Sequence, residues 1–241
     1  MRGKKDGQNK VAVITGGGSG IGLAMARTFA VSGYSVVITG RDAKRLQKAA
    51  ADIAADKKQV TGIACDVRDP ASVEKLFQEI SKRHSALDVL INNAGVAHAL
   101  ATVDQLPIET WKEVIDTNLT GTFLVTRAAL PLMRAGGTIV NNLSVAALQP
   151  FAGMSAYNAS KFGALGFTHA LREDLRKRGI RVLALLPGAT DTEIWNQFWP
   201  GAPKVKMISA ETVAQAVLHA VSAPANTAIE EIRIGPAAGV L

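Results

Sequence analysis

Hydrophobic residues in this chain gather into short runs separated by stretches of helical spacing. Seven runs read as strands: residues 10–14, 35–39, 59–64, 87–91, 137–142, 180–186 and 229–234. Among them VVIT, DVLI and VLALL are nearly continuous in apolar, mostly β-type residues, the pattern of strands covered on both faces. Between the runs, apolar positions recur with helical periodicity near residues 21–32, 42–56, 70–84, 107–134, 155–178 and 210–222. Such alternation predicts an α/β fold, a doubly wound, seven-stranded parallel sheet with helices on both faces. No linker, repeat or low-complexity segment interrupts residues 10–241, so they read as a single domain. Residues 1–9 are polar, glycine-containing and aperiodic, and predict a disordered tail.

The glycines sharpen this picture. The first strand runs into Thr15-Gly16-Gly17-Gly18-Ser19-Gly20-Ile21-Gly22, and a helical pattern follows at once. Strand, glycine turn and helix in that order predict a Rossmann-type nucleotide site. Gly16, Gly20 and Gly22 let the backbone turn and approach a pyrophosphate, and the helix behind offers unpaired N–H groups and a positive dipole end.

Composition removes several function classes. At 241 residues, 48% hydrophobic and 20% charged, the chain suits a globular protein. Its apolar runs are too short for a membrane span, and the run at residues 11–14 is too short for a secretory signal. One cysteine, Cys65, leaves no internal disulfide framework; it fits a reducing cytoplasm and a packed, inert thiol. Of the net charge of +7, the first ten residues supply +3, from Arg2, Lys4, Lys5 and Lys10 against Asp6. The rest is spread without a basic, aromatic-interleaved stripe, so neither nucleic acid nor membrane is an expected partner. No cluster of Cys and His suggests a metal.

Candidate chemistry centres on Ser155-Ala156-Tyr157-Asn158-Ala159-Ser160-Lys161. A Tyr and a Lys four apart share a helix face, with Cβ atoms about 5–6 Å apart. An ammonium beside a phenol favours the phenolate, which predicts that Tyr157 titrates below its usual value of about 10, as suits a proton donor near neutrality. The spacing alone is weak evidence and better suits a surface lysine passing a half-buried tyrosine.

Taken together, these motifs resemble the short-chain dehydrogenase/reductase family across residues 10–241. The glycine spacing T-G-x-x-x-G-x-G is that family's variant, and the resemblance implies cofactor contacts from Gly16, Gly18, Ser19, Gly20, Ile21 and Gly22. Asn92-Asn93-Ala94-Gly95 resembles its N-N-A-G element beside the adenosine half, implying roles for Asn93, Ala94 and Gly95. Asp66-Val67 resembles its adenine-contacting pair. Pro187, Gly188 and Thr192 fit its P-G-x-x-x-T, which flanks the nicotinamide; Thr190 stands where Val or Ile is usual, and backbone contact is expected there. Asn118, Ser144, Tyr157 and Lys161 match its catalytic set. The resemblance implies that Tyr157 supplies a proton and Ser144 orients a carbonyl. It implies that Lys161 keeps the phenol acidic and holds the nicotinamide ribose, and that Asn118 links Lys161 to solvent through a water. Ser144 as a plain strand cap and Asn118 bonded to local backbone are the alternatives.

Cofactor choice turns on Thr39-Gly40-Arg41-Asp42. Gly40 replaces the acidic residue of NAD-specific relatives, and Arg41 follows, so NADPH is expected with NADH as the alternative. Asp42 reads as the cap of the helix starting at Ala43. Residues 189–209 read as a substrate flap holding Trp195, Phe198 and Trp199, either an apolar lid or rings packed on the body or a neighbouring subunit. Lys204 and Lys206 would instead suit an anionic acyl carrier. His98 is expected to face solvent rather than the pocket, and His169 to pack or face solvent. Small residues at Ala156, Ala159, Gly163, Ala164 and Gly166 allow close helix pairing, so a homodimer or homotetramer is expected. The overall expectation is a cytoplasmic carbonyl reductase or alcohol dehydrogenase acting on a small molecule. A 3-oxoacyl-carrier reductase and a non-catalytic nucleotide sensor are the competing readings.

Overall fold

Each of the seven apolar runs forms a strand in the computed structural model, which describes residues 10–54 and 59–239. The expected tail at residues 1–9 lies outside the described residues. The strands are β1 (Val11–Thr15), β2 (Ser35–Gly40), β3 (Val60–Ala64), β4 (Leu87–Asn92), β5 (Met133–Asn142), β6 (Arg181–Pro187) and β7 (Glu231–Ile234). All pair in parallel, in the order β3-β2-β1-β4-β5-β6-β7. The order reverses between β1 and β4, and a crevice opens beyond the carboxyl ends of the strands at such a switch.

Alternation of side chains along each strand builds two cores. Ile14, Ile38, Ile91 and Leu185 point to one face, where α1 (Gly20–Val31), α2 (Ala43–Ala54) and α8 (Ala210–Val221) cover them with Met25, Phe29, Leu46 and Val217. Val13, Val37, Leu90 and Ile139 point to the other. There α3 (Pro70–Arg83), α5 (Gly121–Ala129) and α6 (Ser155–Arg176) supply Leu76, Phe77, Val125 and Leu171. Caps set the helix starts. Asp42 Oδ1 accepts from Arg45 N at 3.0 Å, as expected, and Asp69 accepts from Ala71 N and Ser72 N behind Pro70.

One expectation fails in an informative way. The single helix expected at 107–134 is α4 (Ile108–Ile115), a π-helical turn at Asp116–Thr120, α5 and a 3-10 turn at Leu130–Leu132. Its last positions already belong to β5, which begins at Met133 opposite Leu87. The π turn carries Asn118, and Thr122 Oγ1 caps its carbonyl at 2.8 Å. π turns of this kind gather at functional sites.

Candidate active site

A cavity of about 780 Å³ occupies the switch point, and most of the expected residues meet in its wall. The wall holds Gly16, Ser19, Gly20 and Ile21 from the first βα turn, Ala94 and Gly95 after β4, and Pro187, Gly188, Thr190 and Thr192 at and after the end of β6. Ser144, after β5, and Tyr157 and Lys161, on α6, line the same cavity.

Two features of the first βα turn fit a dinucleotide. Gly16 and Gly20 hold φ of +64° and +50°, and a Cβ on Gly20 would press on Thr192 Cγ2 at 3.2 Å. Ser19 caps α1 with no side-chain bond to its first-turn N–H groups, which leaves donors and a positive dipole end at the cavity wall. Gly22 lies behind the wall; its Cβ would collide with the Gly16 carbonyl, so its role is to let α1 abut the loop.

Polar side chains fasten the strand tips beneath. Thr15 Oγ1 accepts from the backbone N–H of Asn93 and Ala94, both at 2.9 Å. The Asn93 side chain donates to Thr15 O and Gly16 O and accepts from Asn142 Nδ2 at 2.7 Å. Deeper, Asn92 Nδ2 donates to Thr126 Oγ1 and Asn141 Oδ1, and Asn141 Nδ2 donates to Thr168 Oγ1. The Asn93 amide is thus spent on protein groups, although its residue borders the cavity.

After β5, Ser144 Oγ accepts from Ala146 N at 3.1 Å, and Ser144 and Tyr157 share the cavity wall. Lys161 is buried, and its Nζ donates to Asn142 O at 3.1 Å while lying 5.5 Å from the Tyr157 ring centre. Desolvation pushes the lysine down to about 8. The phenol moves opposite to the sequence expectation: burial raises it, and the nearby Ser144 hydroxyl offsets part of that rise. Tyr157 keeps partial exposure to the crevice, so water softens this shift. The lysine cation is turned toward a carbonyl oxygen rather than the phenolic oxygen, and desolvation prevails.

Asn118 sits behind the wall, and its side chain makes three bonds to two neighbours. Its Oδ1 accepts from Val96 N at 2.9 Å, and its Nδ2 donates to Val96 O and Ser160 Oγ. It couples the loop after β4 to α6; a Cβ on Gly95 would intrude 3.3 Å from Asn118 Oδ1 and 3.8 Å from Lys161 Nζ.

Several other expected residues stand away from the cavity wall. Gly18 is covered by Arg45, whose Nε donates to Gly18 O. Asp66 is clasped by Arg68 through bonds of 2.6–3.1 Å, which holds its carboxyl below the usual range. Val67 is buried beside Gly121, leaving only its backbone for a ligand. Arg41 is exposed, with Glu113 at 3.6 Å as its ion-pair partner. His98, expected in solvent, is 5% exposed; its Nδ1 lies 2.8 Å from Ala99 O and it does not border the cavity. His169 meets Glu231 at 3.0 Å on the surface. Cys65 is buried and its thiol pushed up by desolvation, so it is inert. Among the described residues no group of three or more His, Cys, Asp or Glu forms a metal site, and no helix is long and apolar enough to cross a membrane.

Sequence reasoning missed Arg45 and Glu193. Arg45 Nη2 reaches both oxygens of Glu193 at 2.6–2.7 Å, which ties α2 and the glycine loop to the flap. The two residues lie 148 positions apart, and no local signal pairs them. The flap itself holds α7 (Trp195–Phe198) and is pinned by an isolated bridge between Thr190 and Ile208 and by Gln197 Oε1, which accepts from Ala97 N at 2.8 Å.

A glycine-lined crevice at the switch point of a doubly wound sheet, with Ser, Tyr and Lys in its wall, defines a dinucleotide-dependent oxidoreductase. The model of the short chain dehydrogenase family matches residues 10–202. Serine 3-dehydrogenase of Agrobacterium fabrum is 34% identical over 233 residues, which cover 93% of this chain and 92% of that one. An alcohol dehydrogenase from Thermococcus sibiricus, solved with 5-hydroxy-NADP, superposes with a TM-score of 0.88 at 28% identity, over 95% of this chain and 97% of that one. A 3-ketoacyl-(acyl-carrier-protein) reductase from Brucella melitensis, solved with NADH, gives 0.86 at 27% identity, over 95% and 97%. The chain belongs to the short-chain dehydrogenase/reductase family and is an NAD(P)-dependent oxidoreductase.

Proposed function

We propose that the protein is an NADPH-dependent carbonyl reductase that interconverts a ketone and a secondary alcohol. The observation that carries this reading is that Ser144, Tyr157 and Lys161 line the same cavity as the start of α1, whose first N–H groups no side chain caps. A bound nicotinamide supplies the hydride. The chain's own residues supply the rest. Ser144 donates to the carbonyl oxygen and orients it; Tyr157 donates its phenolic proton to that oxygen as negative charge develops there. At pH 7 Lys161, at about 8, is still mostly an ammonium, and it favours the phenolate that remains. Asn118 fixes α6 beneath both groups through Ser160.

Arg41 supports NADPH over NADH. It follows Gly40 at the tip of β2, is exposed, and is held by one long ion pair that a 2′-phosphate would displace. Exposed Trp111, Phe123 and Phe162 on α4, α5 and α6 support a homodimer, with a tetramer as the higher form; light scattering gives the mass directly.

A panel of ketones and alcohols followed by nicotinamide absorbance tests the reading. Tyr157→Phe is expected to lower kcat by about 10²–10⁴-fold with nucleotide affinity unchanged. Full turnover in that variant refutes the assignment. A lower Michaelis constant for NADH than for NADPH refutes the cofactor choice. Activity on acyl thioesters with none on free ketones selects the acyl-carrier alternative instead.

A further inference from the structure

The same cavity wall also carries large apolar side chains. Leu100, Phe151, Met154, Trp195, Phe198 and Trp199 line it, from the loop after β4, the β5–α6 connection and the flap. Trp195 donates its Nε1 to Thr190 O at 2.8 Å, so the indole's one polar atom is satisfied by backbone. Phe198 and Trp199 pack on it with ring centres 4.8 and 6.1 Å away. Met154 is buried, a polarisable side chain that adapts to apolar shapes. A wall of this kind attracts rings and alkyl groups and offers an ionic group nothing.

Charge around the cavity points the same way. Among the described residues its wall holds two cations, Lys161 and Arg233. Lys161 is bonded into Asn142 O, and Arg233 lies on β7, opposite Leu186 of β6 and two strands from the β5 end that carries Ser144. The flap adds Glu193 to the wall, its charge balanced by Arg45, so it brings no free cation for an anionic substrate.

Resting on the carbonyl-reductase reading, we infer that the substrate is a neutral ketone or secondary alcohol carrying a bulky aryl or alicyclic group. The group lies against Trp195, Phe198 and Met154, and carboxylate-bearing carbonyls and small ketones are discriminated against.

Three carbonyl compounds with one reacting centre separate the outcomes: acetone, an aryl methyl ketone and a 3-oxo carboxylate. The aryl ketone is expected to show kcat/KM at least about 100-fold above acetone, since each buried methylene contributes roughly 10–200-fold. Phe198→Ala and Trp199→Ala are expected to raise its KM with kcat nearly unchanged. Binding is read separately: the aryl ketone should quench tryptophan emission of the NADP⁺-loaded Tyr157→Phe protein, with Trp195 and Trp199 at the site and Trp111 away from it. Preference for the 3-oxo carboxylate, lost in Arg233→Met, overturns the inference and leaves the oxidoreductase reading standing. Equal kcat/KM for acetone and the aryl ketone, or no quenching, also overturns it. Reduction of none of the three, with nucleotide still bound, removes the parent reading and this inference with it.

Discussion

Burying Lys161 should write a distinct signature into the pH dependence of stability. The residue is 7% exposed, and desolvation brings its pKa from 10.5 to about 8. The unfolded chain therefore binds more protons than the folded one between those values, and stability rises with pH through that window. Below pH 8 both states carry the proton, so the destabilisation is constant there. At about 1.4 kcal/mol per pKa unit, the gain from pH 7 to 9.5 is roughly 2 kcal/mol. With a urea slope of about 1–3 kcal/mol per molar, that moves the midpoint by about 1 M. The assay is urea unfolding at fixed protein concentration across pH 7–9.5, for wild type and Lys161→Met. Groups that the substitution does not touch cancel in the difference, including Tyr34, whose raised phenol acts in the opposite direction, while Tyr157, raised from its ordinary value of 10, keeps its proton across the window. The wild-type curve should climb relative to the variant. Parallel curves, or a relative fall, would refute the claim that this ammonium is desolvated.

Gly22→Ala places a methyl group against the Gly16 carbonyl; a melting temperature lowered by an overpacking cost of about 1–3 kcal/mol and weakened nucleotide binding are expected. Arg41→Ala should raise the Michaelis constant for NADPH by about 10–100-fold, the value of a charge-assisted hydrogen bond, and leave that for NADH nearly unchanged. Asp69→Ala removes the acceptor for two N–H groups of α3, and urea unfolding should register a loss of about 1 kcal/mol.

Local pattern made the sheet legible because both cores repeat a simple rule, apolar on every buried strand face. It failed at residues 107–134 for a definite reason. The π turn at Asp116–Thr120 keeps a helical run of polar and apolar residues, and the added residue is accommodated by packing: Gly121 fits against Val67, where a Cβ would lie 2.8 Å from its Cγ2. No spacing within the segment reports that neighbour. The glycine turn and the Tyr–Lys pair were legible as contiguous motifs, and the structure brings them to one cavity. What joins them was not. The Asn92–Asn141–Thr168 bonds and the Arg45–Glu193 clasp link residues from 27 to 148 positions apart. The direction of the Tyr157 shift also escaped the sequence, because spacing places a lysine near a phenol without showing which oxygen its ammonium faces.

The Asn93 amide has a consequence for how the two halves of the crevice keep their distance. It grips Gly16 O with one end and receives Asn142 with the other, while the Asn142 carbonyl receives Lys161. Three successive bonds thus run from the phosphate-side loop to the amine at the reacting end, so neither can drift without dragging its counterpart. Replacing that one side chain with leucine would disturb grip on the dinucleotide and the pH profile of turnover in a single stroke.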